Sequence, residues 1–263
     1  SRMRVAANLT MLYTEFPLLM RYERAAADGF KLVEITYPYL ERPEALKAEA
    51  DRHGIEHVLI NAFPGNWAGG QRGIAALASE QSGYSRSIDQ SILYAKMLDC
   101  KKVHVMAGVP KTDDDIAAAY KTYIDNIEYA ARALGENNME CLIEPINPIT
   151  IPGYHLDRTS KAMAVLQILS VPNLSIQFDF FHAAQMPGGI PPNIHQWKRN
   201  IGHIQVAQAP GRGEPDTDGS IDYVKWIEWC KTSGQQRVIG CEYTPTKKGA
   251  DAVAWIRKSG LDF

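Results

Sequence analysis

The chain has 263 residues, of which 45% are hydrophobic and 22% charged, and its formal net charge is -2. This balance suits a soluble globular protein with a sizeable core, and it argues against a general affinity for nucleic acid or anionic membrane. No apolar run approaches the roughly 18–20 residues needed to span a bilayer, and the N-terminal SRMRVAANLT lacks the long apolar core of a secretory signal.

Ser1 and Arg2, ahead of Met3, read as remnants of an expression tag. RVAANL (4–9) is the first strand-like run, followed by LVEITY (32–37). PEALKAEADRH (43–53) has helical composition, HVLINA (57–62) returns to strand, and SRSIDQSILYAKML (85–98) is helical again. KVHVMAG (102–108) is a strand, and the long helical stretch 113–134 follows it. Asp113, Asp114 and Asp115 favour the start of that helix and Gly135 its stop. ECLIEPI (140–146) precedes a helix at 160–169, and LSIQFDF (174–180) and HIQVAQ (203–208) are further strands. The helical segment 220–231 and the strand VIGCEY (238–243) complete the pattern. Trp226 and Trp229 share a face of that last helix, at a spacing that predicts core packing. Eight strands alternating with helices, without a linker, predict a single (β/α)8 barrel domain over residues 1–263. A doubly wound sheet is the alternative, but it would more often carry a glycine-rich turn after the first strand, and ANLTMLYTEF is not one.

The four cysteines, Cys100, Cys141, Cys230 and Cys241, form no CxxC pair. Cys141 and Cys241 lie inside apolar runs, and the four read as buried reduced thiols of a cytoplasmic protein.

Side chains alternate across a strand. In several strands one parity is apolar, as with Val33 and Ile35, Val58 and Ile60, Val103 and Val105, or Ile204 and Val206. The other parity presents Asn8, Glu34, Asn61, His104, Glu144, Asp179, Gln205 and Glu242, one from each strand. A barrel converges these groups on its axis, most of them near the carboxyl ends where barrel enzymes place their chemistry. Each alone is as readily a satisfied buried polar group. Four acceptors on four consecutive strands carry more weight, because three clustered carboxylates repel unless a cation or protons intervene. Glu144, Asp179, Gln205 and Glu242 offer only oxygen, which favours one hard divalent cation, Mg²⁺ or Mn²⁺, over structural zinc.

EPIN (144–147), DFFH (179–182), HIQVAQAPGRGEP (203–215) and GCEY (240–243) resemble the hydroxypyruvate isomerase family of the xylose isomerase-like barrels. The resemblance runs from ANL (7–9) through LIN (59–61) and HVMAG (104–108) to the eighth strand. It implies a divalent metal on Glu144, Asp179, Gln205 and Glu242, with Glu144 and Glu242 as the two acid–base carboxylates. His182 matches an imidazole that contacts substrate in related sugar isomerases, and Arg212 a loop arginine that reaches substrate oxygens. His104 faces the barrel interior on this register and is a further candidate substrate contact. The implied reaction interconverts hydroxypyruvate and 2-hydroxy-3-oxopropanoate. A 2-oxo-tetronate isomerase on the same residues is the nearest alternative, and a wall of Tyr37, Phe63 and Trp67 would favour the smaller acid. A ketose 3-epimerase fits less well, because Gln205 stands where those enzymes usually have histidine and Thr150 where they have a second glutamate. The expected partner is a small 2-oxo acid, with no nucleic acid and no membrane. A homo-oligomer is plausible on general grounds, but the sequence does not fix its order.

Overall fold

A computed structural model of the chain describes residues 3–233 and 238–263. Ser1 and Arg2, assigned above to a tag, lie outside them. Eight parallel strands pair in chain order and close on themselves, β1-β2-β3-β4-β5-β6-β7-β8. They are β1 (Arg4–Asn8), β2 (Leu32–Ile35), β3 (Glu56–Asn61), β4 (Lys102–His104), β5 (Glu140–Ile143), β6 (Leu174–Asp179), β7 (Ile201–Val206) and β8 (Val238–Cys241). Closure is made by β1 on β8, with Arg4 opposite Val238 and Ala7 opposite Cys241. Each predicted strand is present. Several end sooner than their apolar runs, so that Glu144 and Glu242 sit just past the last paired residues of β5 and β8.

The connecting helices are α1 (Leu18–Asp28), α2 (Pro43–Arg52), α3 (Gln81–Met97), α4 (Asp113–Gly135), α5 (Thr159–Leu169), α6 (Phe180–Ala184), α7 (Tyr223–Thr232) and α8 (Ala254–Lys258). Three of them, α4, α6 and α7, start on a side-chain cap. Thr112 Oγ1 accepts the backbone N–H of Asp115 at 3.0 Å, ahead of the three aspartates in the first turn of α4, where carboxylates meet the positive end of the helix dipole. Asp222 Oδ1 accepts from Lys225 N at 3.2 Å, which moves the start of α7 past the Ser220 suggested by composition. Helices α1, α6 and α8 are not among the segments singled out from the sequence. The last two have only five residues each, too few to show a helical period.

The apolar parity faces the helices and forms the core, where Val5, Ile35, Ile60, Val103, Cys141, Ile176, Ile204 and Ile239 are fully or almost fully buried. Trp226 and Trp229 are half-buried and pack on Phe180, with ring centroids 5.3 and 6.4 Å away. The four cysteines are buried and no disulfide joins them. No helix among the described residues is long and apolar enough to cross a membrane.

One parity assignment fails locally. Between β2 and β3 the register slips, with Val33 opposite His57 but Glu34 opposite Leu59. Val58 is the extra residue of this bulge and is only half-buried, so it does not belong with Ile60 on the helix-facing side. His57 turns outward instead, and its Nε2 lies 2.6 Å from the Tyr22 hydroxyl of α1.

Burial pushes the His57 pKa down from 6.5 to about 4. The unfolded chain therefore takes up the proton first as the pH falls. The stabilisation from this residue is complete above about pH 6.5 and is lost as the pH drops toward 4, a loss on the order of 3 kcal/mol. Denaturant unfolding at about pH 7.5 and about pH 4.5 should show it, and His57→Gln should flatten that part of the profile. An unchanged profile in the variant would place the titration elsewhere.

Candidate active site

The barrel interior holds two polar layers. The deeper one centres on Glu34, which is 1% exposed. Its Oε1 accepts from Asn8 Nδ2 of β1 at 3.0 Å and from Gln205 Nε2 of β7 at 2.7 Å, while His203 Nε2 lies 2.6 Å from Oε2. Strands β2 and β7 are not neighbours, so the contacts of His203 and Gln205 with Glu34 cross the barrel. Gly240 of β8 makes room for them, since a Cβ there would stand 2.3 Å from Glu34 Oε2. Gln177 Nε2 of β6 donates to Gln205 Oε1 at 2.8 Å and extends the layer.

The upper layer lies at the carboxyl ends of the strands. One ligand atom each of Glu144, Asp179 and His182 falls within 4.8 Å of the others, and all three residues are buried. Glu242 carries the Arg212 guanidinium, with Nη2 at 2.9 Å from its Oε1. The same Nη2 is 3.8 Å from Asp179 Oδ2, and the guanidinium lies 4.7 Å from the centre of the Phe181 ring. Burial, reinforced by the charges of Glu242 and Asp179, pushes the Glu144 carboxyl well above its ordinary range, and Arg212 opposes the shift. Burial also raises Glu242, opposed by Arg212 and assisted by Asp179 and Glu34. Asp179 is pushed up to about 6, again chiefly by burial, with Arg212 as the main opposing charge.

Of the residues expected at the site, Glu144, Asp179, His182, Arg212 and Glu242 meet in this layer. Gln205 sits below it and spends its amide on Glu34 and Gln177. His104 of β4 is 1% exposed, and neither ring nitrogen has a hydrogen-bond partner among the described residues. Burial and the nearby His203 push its pKa down to about 3, so it is a neutral imidazole with both ring nitrogens uncommitted among the described residues. Tyr37 and Trp67 stack at 5.2 Å with an interplanar angle of 11°, and Phe63 lies 6.5 Å from Tyr37, on the loops after β2 and β3.

A divalent cation fits the upper layer. Glu144 Oε2 and Asp179 Oδ2 are buried and accept no hydrogen bond from the described residues. Buried carboxylate oxygens of this kind call for a proton or a cation, and the donors are hard oxygens.

Two residues that sequence reasoning did not single out hold the Arg212 loop. Gln208 Oε1 accepts from Ala209 N and Ile221 N, and its Nε2 donates to Pro215 O and Ile221 O, at 2.9–3.1 Å. Glu214 is fully buried and accepts from Thr246 N at 3.1 Å, Thr246 Oγ1 at 2.8 Å and Lys247 N at 2.9 Å. It thus ties the loop after β7 to the loop after β8. Arg212 itself sits at φ 61°, and its carbonyl accepts from Thr244 N at 2.8 Å. A left-handed arginine is strained backbone that surrounding bonds must hold. The signal for these roles was present only as polar residues in a loop string, because the partners that tie them to other segments, Ile221 for Gln208 and Thr246 and Lys247 for Glu214, lie 13 to 33 positions away.

Residues 22–259 match the family described as xylose isomerase-like TIM barrel. The hydroxypyruvate isomerase of Escherichia coli strain K12 is 35% identical over 254 residues, covering 97% of this chain and 98% of its own. The 2-oxo-tetronate isomerase of Cupriavidus necator is 38% identical over 254 residues and 97% of each chain. A crystal structure described as an AP endonuclease of family 2 from Brucella melitensis superposes with a TM-score of 0.91 at 33% identity, covering 97% of this chain and 98% of that one. With this barrel, this cluster of carboxylates and these relatives, the chain belongs to the hydroxypyruvate isomerase family of the xylose isomerase-like TIM barrels.

Proposed function

We propose that the protein is an isomerase that interconverts hydroxypyruvate and 2-hydroxy-3-oxopropanoate by moving a proton between adjacent carbons through an enediol. The observation that carries this reading is the set of carboxylates, Glu144 and Asp179 buried and Glu242 half-buried, gathered around one arginine at the carboxyl end of the barrel. The relatives' activities are consistent with it.

The reaction removes a proton from C3 of hydroxypyruvate and returns one at C2, while a hydroxyl proton passes from O3 to O2. Glu144 and Glu242 are the two proton carriers, reaching the substrate from strands three apart in the ring. Raised carboxyl pKa values bring such groups nearer neutrality, where a positioned side chain can both give and accept a proton. Arg212 holds the substrate carboxylate, exchanging its hold on Glu242 for a planar, bidentate partner. His104, neutral and uncommitted, supplies a contact to a substrate oxygen. Glu144, Asp179 and Glu242 would hold a Mg²⁺ or Mn²⁺ ion, while Gln205, expected from the sequence as a fourth ligand, keeps its amide on Glu34 and Gln177 in the layer below. Such an ion, when bound, supplies electrophilic stabilisation of the developing oxyanion. A pocket walled by the stacked Tyr37 and Trp67 with Phe63 favours the three-carbon acid over a 2-oxo-tetronate. The buried thiols suit the reducing cytoplasm.

Steady-state rates with hydroxypyruvate and with 2-oxo-tetronate test the reading, each before and after chelation and after Mn²⁺ is restored. The expected result is a higher kcat/KM for hydroxypyruvate, loss of rate on chelation and recovery with Mn²⁺. Preference for the four-carbon acid would move the assignment to that substrate. Turnover of neither, with metal present, would overturn it.

A further inference from the structure

Asn147 lies in the loop after β5, three residues past Glu144, and is fully buried. Its side-chain amide is used on both sides. The backbone N–H groups of Ile149 and Thr150 donate to Oδ1 at 3.0 and 2.9 Å. A backbone N–H can only donate, so the oxygen and nitrogen of this amide cannot be exchanged. Nδ2 therefore directs its two hydrogens at Thr150 Oγ1, at 2.9 Å, and at His182 Nδ1, at 2.8 Å.

A ring nitrogen that faces an N–H donor must present a lone pair. The proton of the His182 ring then resides on Nε2. A doubly protonated ring would set an N–H against the N–H of Asn147, which the pinned amide does not allow. His182 is 3% exposed. Its Nε2 lies 3.8 Å from Asp179 Oδ2 and points into the upper layer beside Glu144. A protonated Nε2 has no lone pair to give a cation.

We propose that Asn147 is a positioning residue that locks His182 in the Nε2–H tautomer, making His182 a fixed hydrogen-bond donor to a substrate oxygen and not a metal ligand. The tautomer follows from the amide geometry alone, and only the substrate contact rests on the isomerase reading. The role of the donor is to stabilise negative charge that builds on the substrate oxygen as the enediol forms, while the ring keeps its own proton. Thr150 contributes by taking the second amide hydrogen, so that the amide cannot rotate without losing three further bonds.

The test is long-range ¹H–¹⁵N NMR of the ¹⁵N-labelled full chain, with His182→Gln used to assign the His182 signals. Spectra are recorded without metal and with Mg²⁺. The wild type should show a protonated Nε2 and an unprotonated Nδ1 in both. In Asn147→Asp the carboxylate still accepts from Ile149 and Thr150 but now also accepts from the ring, so the proton should move to Nδ1. Its kcat should fall about 10- to 100-fold with KM little changed. Asn147→Ser, whose side chain cannot reach the ring and which leaves only the long backbone N–H contact of residue 147 to Nδ1 at 3.5 Å, should give mixed tautomer signals and serves if the aspartate variant does not fold. A wild-type ring protonated at Nδ1, or an Nε2 signal that moves to a metal-bound position with Mg²⁺, would overturn the proposal. So would unchanged ring signals in both variants. If the NMR pattern is as expected but neither 2-oxo acid is turned over, the tautomer lock stands and only the substrate assignment falls.

Discussion

Replacing Glu242 with glutamine should lower kcat for hydroxypyruvate about 10²- to 10⁴-fold without loss of thermal stability. The side chain lies at the mouth, 13% exposed, and its Oε1 accepts from Arg212 Nη2. Glutamine has the same size and keeps an oxygen for that bond, so the arginine stays in place. What disappears is the ability to exchange a proton, worth this range for one positioned acid or base. The fold has no reason to suffer, since burial and the charges of Asp179 and Glu34 already disfavour the ionised carboxyl, with Arg212 alone favouring it. Melting temperature should therefore hold or rise. Measured rates within about threefold of wild type would take Glu242 out of the acid–base pair. A large fall in melting temperature would show that the ion pair with Arg212 is structural.

Glu34→Leu should have the largest effect on stability. One carboxylate there serves Asn8, Gln205 and His203 in the middle of the barrel. Leucine would leave two amide donors and one imidazole without partners among buried groups. Breaking one side of a buried charged network costs about 3–5 kcal/mol, against a total stability of roughly 5–15 kcal/mol for a typical domain. Denaturant unfolding should show this loss, with a fall in melting temperature of about 10 °C or more. Gly240→Ala presses on the same carboxylate from β8 and should also destabilise, because its Cβ would meet Glu34 Oε2 at 2.3 Å. If Glu34→Leu unfolds within about 1 kcal/mol of wild type, the carboxylate is not what holds the deeper layer together.

Much of the arrangement was legible in the chain. Alternation within runs such as LVEITY and KVHVMAG separates helix-facing from axis-facing residues, because the pleat has a period of two. That rule identifies Glu34, His104 and Asp179 as interior groups without any coordinates. It fails at Val58 because a bulge adds a residue to β3, and a bulge is a property of two strands together. Apolar content also overstates several strands at their carboxyl ends. Glu144, Ile146 and Tyr243, beyond Ile143 and Cys241, are still buried but make no ladder.

The sequence by itself determined the eight alternating units, the side of each strand that carries polar groups, and the excess of carboxylates at one end. These depend on chemistry repeated at short, regular intervals. Only the tertiary structure decided how the polar groups divide. Glu34 and Gln205 belong to a hydrogen-bonded layer across the barrel, while Glu144, Asp179, His182 and Glu242 stand above it with Arg212. It also decided that Asn147 faces His182 and that Glu214 fastens the arginine loop. Those contacts join residues some 30 to 170 positions apart. Hydrogen bonds act over about 3 Å, and nothing in local composition records which distant atoms closure of the ring will bring within that range.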